Sequence, residues 1–418
     1  MIKKLVLSKI KRPQGIFTRR FLNKLLFLLN HKIFPSRDER RSTNTTNIYY
    51  DVSGISIFDL KTGVQRAVKN ILQELHNNLP AGFNLVPVAC SSALKGFYVV
   101  NMQLGEQLKF THTNIKISPR QGDIFLSVEI ALNEHINQSD LLDNFRNKGC
   151  KIFFVVHDLL PILLPNCFTR NHRNNFIEWL TTTSEYSNYI CVSRTTKLYL
   201  ESWLKENNKN NKCFNYRVGY NFENNLMTKG VTKKEKESIT QINKTKYKFL
   251  MVGTIEPRKQ NLFVLKEFNK LWKKGLKDIS LIFVGKIGWM CEDAIDNFKQ
   301  HPLLGENFFH FPSASDELLQ YLYKSSTALI YASLNEGFGL PLIEAAHYGL
   351  PIIARDKPIY HEVVGNSAYY FDEEDALDEV VKEWLLLFKR NLHPKSQNIP
   401  AVTWEETAKD IIDIICKR

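Results

Sequence analysis

The chain has 418 residues, 44% of them hydrophobic and 12% aromatic; it is too long for one ordinary domain, suits two of about 200 residues each, and is too apolar for a mainly disordered protein. Its net charge of +13 is concentrated: residues 1–46 hold twelve Lys and Arg against Asp38 and Glu39, a balance of +10, which leaves +3 for the rest and speaks against a nucleic-acid-binding body. Seven cysteines (Cys90, Cys150, Cys167, Cys191, Cys213, Cys291 and Cys416) stand singly without a CxxC pair, which excludes a disulfide framework or a cysteine metal site and indicates reduced thiols in a cytoplasmic protein.

In chain order, the first element is a basic amphipathic helix in "RRFLNKLLFLLNHKIF". Phe17, Phe21, Leu22, Leu25, Leu28, Leu29 and Ile33 recur at helical spacing, while Arg20, Lys24 and His31 share another face. Such a helix lies in the surface of an anionic membrane, apolar face down; packing on its own domain is the alternative. It is too short and too interrupted to span a bilayer, and it lacks the apolar core and cleavage site of a signal peptide. Residues 35–46 read as a polar linker, so that 1–46 form an appendage to the body.

From residue 47 onward, apolar strand-like runs alternate with amphipathic helices. "NIYYDVSG" (47–54) is followed by a helix over 62–75, then by strands at 83–90, 122–129, 150–158 and 188–193. A charged Asn/Lys-rich segment, 205–246, separates this series from a second one. Its strands fall at 248–253, 279–285, 307–311, 327–333 and 350–354, with helices at 261–274, 315–325 and 339–349. Continuous Val/Ile/Phe runs between helices indicate parallel sheets covered on both faces. The expected class is α/β, with two Rossmann-like doubly wound domains facing each other across a cleft: 47–225, and 226–402. A last amphipathic helix, 403–418, is available to pack back on the first domain.

In doubly wound sheets ligands sit at the carboxyl ends of the strands, and four stretches there carry candidate chemistry. "MVGTIEPRKQNL" (251–262) puts Arg258 and Lys259 between a strand end and a helix N-terminus, an anion site suited to a diphosphate; a loop of ordinary surface charges is the bland alternative. "IFFVVHDLLPI" (152–162) ends its strand at His157 and Asp158. A histidine there either donates a hydrogen bond to a sugar hydroxyl or polarises a reacting group, unless it is merely a satisfied core residue. "DLKTGVQRAV" (59–68) places Gly63 at a helix start, where backbone N–H groups approach phosphate closely; a simple turn reads equally well. In "NEGFGLPLIE", Glu336 occupies a turn opened by Gly337 and Gly339, Phe338 adds a backbone N–H, and Glu344 sits in the helix that follows. A carboxylate accepts two hydrogen bonds from a vicinal diol, so both glutamates suit polyhydroxyl ligands. Pro341 fits the first turn of that helix.

These motifs resemble those of retaining family 4 glycosyltransferases of the GT-B fold. "EGFGLPLIE" matches their Glu-x7-Glu pattern and "VGTIEPRKQN" their phosphate-binding turn. "VVHDLLPI", "ICVSRTT", "FVGKIGWM" and "YYDVSGISIFDLKTGVQR" are similar too and recur in the right order over roughly 47–375. The likeness is to bacterial enzymes that build O-antigen, capsule and related surface polysaccharides, many of them mannosyltransferases. It implies a sugar-nucleotide donor whose diphosphate is held by Arg258 and Lys259 and whose ribose is held by Glu344. Glu336 and His157 would touch the donor sugar, with Gly63, Gly253, Gly337, Phe338, Gly339 and Leu340 lining the donor site. It implies no metal and no cofactor, since the cations take the place of a divalent ion. Where many relatives carry an Arg after the strand-end glycine, this chain has Thr254, which shifts charge neutralisation onto Arg258 and Lys259.

The implied reaction is hexose transfer with retention, with GDP-mannose preferred and UDP- or dTDP-sugars as the alternative. The implied acceptor is a lipid-linked oligosaccharide, presented at the anionic inner leaflet to which residues 1–46 bind. Rivals are a sugar-nucleotide epimerase or phosphorylase of the same fold, and a degenerate membrane-binding protein. The presence of both glutamates and both cations opposes the last.

Overall fold

The computed structural model describes residues 37–38, 45–56, 63–91, 96–103, 108–130, 139–220, 230–372, 376–400 and 402–417. The basic helix expected over 17–33 falls outside them, as does the segment ahead of Gly63.

The first body contains, in order, β1 (Arg37–Asp38), β2 (Thr46–Asp51), α1 (Gly63–Asn78), β3 (Phe83–Ser91), β4 (Gly96–Gln103), β5 (Lys109–Lys116), β6 (Ile124–Ser127), α2 (Ser139–Asn147), β7 (Lys151–Val156), the single turn α3 (Leu160–Leu163), α4 (Arg170–Thr183), β8 (Asn188–Cys191), α5 (Arg194–Glu206) and β9 (Cys213–Asn215). The strands form one sheet in the order β1-β5-β4-β3-β2-β6-β7-β8-β9. Its centre is parallel, but β3–β4 and β4–β5 pair antiparallel. The wholly parallel sheet expected from the apolar runs is therefore corrected at this edge. β5, "KFTHTNIK", consists only of exposed and half-buried residues and offers no continuous apolar run to read.

The second body contains α6 (Lys233–Ile242), β10 (Tyr247–Val252), α7 (Asn261–Lys273), β11 (Ile279–Val284), α8 (Glu292–Lys299), β12 (Phe308–Phe311), α9 (Asp316–Ser325), β13 (Ala328–Tyr331), α10 (Leu340–His347), β14 (Ile352–Arg355), α11 (Pro358–Val364), β15 (Ala368–Phe371) and α12 (Leu377–Lys389). Its sheet, β12-β11-β10-β13-β14-β15, is parallel throughout.

Alternation along the strands explains the layering. Ile48 and Tyr50 of β2 point to a core shared with α1, whereas Tyr49 joins the opposite core with Phe145 of α2 and Trp179 of α4. In β10, Phe249 and Met251 pack with Phe268 of α7 and Trp384 of α12, while Leu250 faces Leu318 of α9 and Leu342 of α10. Each central strand is thus buried on both sides, as a doubly wound sheet requires.

The last helix, α13 (Trp404–Lys417), returns to the first body. Trp404, Ile411 and Ile415 pack against Val68, Ile71, Leu72 and Leu75 of α1. At about 2 kcal/mol per large buried side chain, these three contribute roughly 6 kcal/mol. The exposed Arg217–Asp410 pair at 2.8 Å adds at most about 1 kcal/mol. Where the chain crosses between bodies, the two crossings are laced together. Tyr220 N donates to Val402 O at 2.9 Å, Thr407 Oγ1 donates to Arg217 O at 2.8 Å, and a Cβ at Gly219 would meet the Thr403 carbonyl at 2.7 Å. No helix among the described residues is long and apolar enough to cross a membrane.

Candidate active site

Two loops of the second body build the charged centre. After β10 the backbone turns through a short 3-10 segment, Pro257–Lys259, and Gln260 adopts a left-handed φ of 61° before α7 begins. After β13 the chain runs through buried Ala332 and Ser333 into the Glu336 turn. Leu334 N donates to Arg258 O at 2.9 Å, which fastens the loops together. Gly339, at φ 106° and ψ 58°, precedes the first turn of α10, a backbone conformation that favours glycine.

The joined loops bring Glu336 between both cations. Its Oε1 accepts from Lys259 Nζ and its Oε2 lies 2.6 Å from Arg258 Nη1. Arg258 also donates through Nη2 to Glu256 Oε1 at 2.6 Å. Burial alone would raise the Glu336 pKa, but Arg258 and Lys259 outweigh it and hold the carboxyl at about 2. Burial pushes Lys259 below the ordinary lysine value, with Glu336 opposing. Burial likewise raises Glu256 and Asp158, and Arg258 opposes it in both. The cations are therefore held out of water and aimed by carboxylates. Lys259 Nζ also lies 5.4 Å from the Tyr331 ring centroid, and an ideal Cβ on Gly253 would stand 3.5 Å from Lys259 Nζ.

Glu344 is buried on α10. Its Oε2 accepts from Tyr323 Oη at 2.6 Å, and its Oε1 lies 3.2 Å from Arg66 Nη1. Arg66 belongs to α1, so this pair joins the two bodies. Gly63, at the start of the same helix, faces α10: a Cβ there would stand 3.4 Å from Leu340 Cδ1.

His157 contributes from the first body. Its Nε2 is 2.7 Å from Val128 O, and since a carbonyl only accepts, Nε2 carries the proton. Burial lowers the ring's pKa, which keeps it neutral, and a neutral ring protonated at Nε2 has only an acceptor at Nδ1. In this tautomer Nδ1 offers an acceptor and no donor. The His157 carbonyl lies close against the second body, because a Cβ on Gly337 would lie 1.7 Å from it.

Against known proteins, residues 232–397 match the glycosyl transferases group 1 family. The chain is 31% identical over 387 residues to the serotype-specific mannosyltransferase WbdA of Escherichia coli, covering 88% of this chain and 45% of WbdA. It is 28% identical over 220 residues to the O-antigen chain mannosyltransferase RfbU of Salmonella typhimurium, covering 53% and 56% respectively. The chain spans about half the length of these curated relatives. The solved structure of sucrose-phosphate synthase from Thermosynechococcus elongatus aligns with a TM-score of 0.58 at 13% identity, over 89% of this chain and 96% of that one. The chain carries a group 1 glycosyl transferase domain on a GT-B fold.

Arg258, Lys259, Glu336 and Glu344 all lie within the group 1 domain, whereas Gly63 and His157 lie outside it. The sites expected along the sequence fall into two clusters: Arg258, Lys259 and Glu336 together, and Glu344 with Gly63 and Leu340 at the α1–α10 contact. Several participants escaped the motif reading. Arg66 sits three residues after Gly63 in "GVQR", yet its partner lies 278 positions away. Glu362 of α11 accepts from Arg194 N at 2.6 Å and from Thr195 N at 2.7 Å, so that the group 1 domain caps the N-terminus of α5. Thr196 Oγ1 donates to Gly337 O at 3.2 Å across the same junction. "SRTT" carried the recognisable signal for these, as a polar strand-to-helix turn. Among the described residues no group of three or more His, Cys, Asp and Glu is arranged to hold a metal ion.

Proposed function

We propose that the chain is a retaining, metal-independent family 4 glycosyltransferase that moves a hexose from a sugar nucleotide, GDP-mannose by preference, to a lipid-linked glycan in surface polysaccharide synthesis. The observation that carries this reading is the burial of Arg258 and Lys259 against Glu336 at the end of β10. Cations kept dry and pre-aimed stabilise charge as it develops on a departing diphosphate far better than solvated ones do. The mannosyltransferase names of WbdA and RfbU support the sugar and the glycan.

In the proposed reaction the bond from the anomeric carbon to the diphosphate oxygen breaks, and Arg258 and Lys259 take up the charge left on phosphate. The acceptor hydroxyl forms its bond to the same face of the sugar and passes its proton to the departing phosphate. Glu336 sets the position of both cations and, with His157 accepting through Nδ1, addresses the hydroxyls of the donor sugar. Glu344 accepts from the ribose diol, a role in which the diol takes the place of Arg66. The protein works at the cytoplasmic face of the inner membrane, held there by residues 1–46.

Lys259→Ala is the direct test. Removing one charge partner of the transition state lowers turnover by about 10²–10³-fold, measured as release of nucleotide from GDP-mannose. Near-normal turnover would refute the phosphate role.

A further inference from the structure

The loop after β11 keeps a large aromatic side chain at the junction of the two bodies. Trp289 is 42% exposed, although Trp179, Trp384 and Trp404 are almost completely buried. Met290, next to it, is also exposed and holds φ 53°, a left-handed conformation that residues other than glycine adopt infrequently. One exposed indole is unremarkable in itself, but this one is fixed and has neighbours. Its Nε1 donates to Cys167 O of the first body at 3.0 Å. The Phe168 ring lies 5.8 Å from it at 33°, and the same ring stacks on His172 at 5.6 Å and 14°.

Three rings therefore run in a row across the junction. The row adjoins the charged centre: Leu334, two residues before Glu336, packs with Leu160, Cys167 and Phe168. The charge of Arg258 acts on Cys167, and that of Asp158 acts on His172. The indole has one polar atom, and bracing to Cys167 uses it, so Trp289 can meet a ligand only through its apolar face. Burial lowers the His172 pKa, which keeps that ring uncharged at neutral pH.

We propose that the exposed rings of Trp289 and His172, both packed on the buried Phe168 ring, form an acceptor subsite that holds a pyranose ring of the glycan by stacking its C–H face. A pyranose has an apolar face and a hydroxyl rim, and ring faces of aromatic side chains bind such a surface while leaving the rim to water or polar groups. The donor is assigned to the α1–α10 and β10 side of the cleft. The row extends on the α3–α4 side, where Phe168 and His172 belong to the first body. This assignment rests on the glycosyltransferase reading above.

The test uses the full chain with GDP-mannose as donor and a soluble α-mannotrioside as acceptor, and GDP affinity measured by calorimetry. Trp289→Ala should raise the acceptor KM at least tenfold while the GDP affinity stays within twofold. Trp289→Phe, which keeps a ring but lacks the N–H to Cys167, should recover an acceptor KM within threefold of the native value. An unchanged acceptor KM in Trp289→Ala overturns the subsite. So does a Trp289→Phe variant as impaired as Trp289→Ala, because the indole would then serve only to brace the junction. A native protein that neither transfers nor hydrolyses any sugar nucleotide would instead overturn the glycosyltransferase reading beneath it.

Discussion

Gly337→Ala isolates the cost of keeping the two bodies in contact. The φ of Gly337 lies outside the left-handed region, so alanine fits its backbone and the penalty is purely steric. The added Cβ would sit 1.7 Å from the His157 carbonyl oxygen and 2.8 Å from its carbon, whereas real Cβ atoms essentially never come closer than 3.0 Å to such neighbours. The obstacle is backbone rather than the end of a flexible side chain, so the bodies must part locally by about 1.3 Å. That displacement also strains the 3.2 Å hydrogen bond from Thr196 to Gly337 O, worth about 1 kcal/mol, and it moves His157 away from the cations. A misplacement of about 1 Å at reacting groups costs on the order of 10²-fold in rate. Gly337→Ala should therefore lose about 100-fold in kcat for GDP-mannose turnover. GDP affinity should change by less than about threefold, because Arg258, Lys259 and Glu344 all belong to the second body. The melting temperature should move little, because the hydrophobic cores of each sheet are untouched. A variant with native kcat would refute the claim that this contact sets the catalytic geometry.

Glu344→Ala should weaken GDP binding at least tenfold by calorimetry, since a charged hydrogen bond contributes about 1.5–3 kcal/mol; an unchanged affinity removes the ribose assignment. Because burial lowers the Lys259 pKa, its positive charge is lost as pH rises through that lowered value. The alkaline limb of kcat/KM should therefore have its midpoint below 10.5, and a limb at or above the ordinary lysine value would contradict that role. Deleting residues 1–46 should abolish sedimentation with vesicles containing anionic phosphatidylglycerol while leaving turnover on a soluble acceptor. Undiminished sedimentation would sink the membrane assignment.

Much of the molecule could be read from residues alone where a single physical demand dominated. β2, β7, β10, β11 and β13 are buried on both faces, and that demand writes itself as an uninterrupted apolar run. β4 and β5 lie toward an edge with one wetter face, so "KFTHTNIK" carries hardly any such mark. Within the candidate site, Arg258, Lys259, Glu336 and Glu344 stood out because each charge follows a buried strand or lies in the helix after it, in a recognisable spacing. Arg66, Tyr323 and Glu362 did not, because their meaning depends on partners brought near only by folding. His157 shows the same limit at atomic scale. Its position at the strand end was legible, but its tautomer is decided by the Val128 carbonyl just past the end of the neighbouring strand β6. Trp289 lay in plain view in "FVGKIGWM", yet only its bond to Cys167 and the rings beside it distinguish it from an ordinary exposed aromatic.

The return of α13 to the first body has a mechanical consequence. The group 1 domain is attached by two strands of chain at one place, where Tyr220 meets Val402 and Gly219 meets Thr403. A body pinned at two adjacent points swings about the line between them, like a door on paired hinges, and has little freedom to twist or drift. Opening the cleft about that line would disturb the Arg66–Glu344 pair little, because Tyr220, one of the pins, lies beside both. Cutting the chain near residue 401 would remove one pin and turn a guided swing into loose tethering, with both bodies still folded.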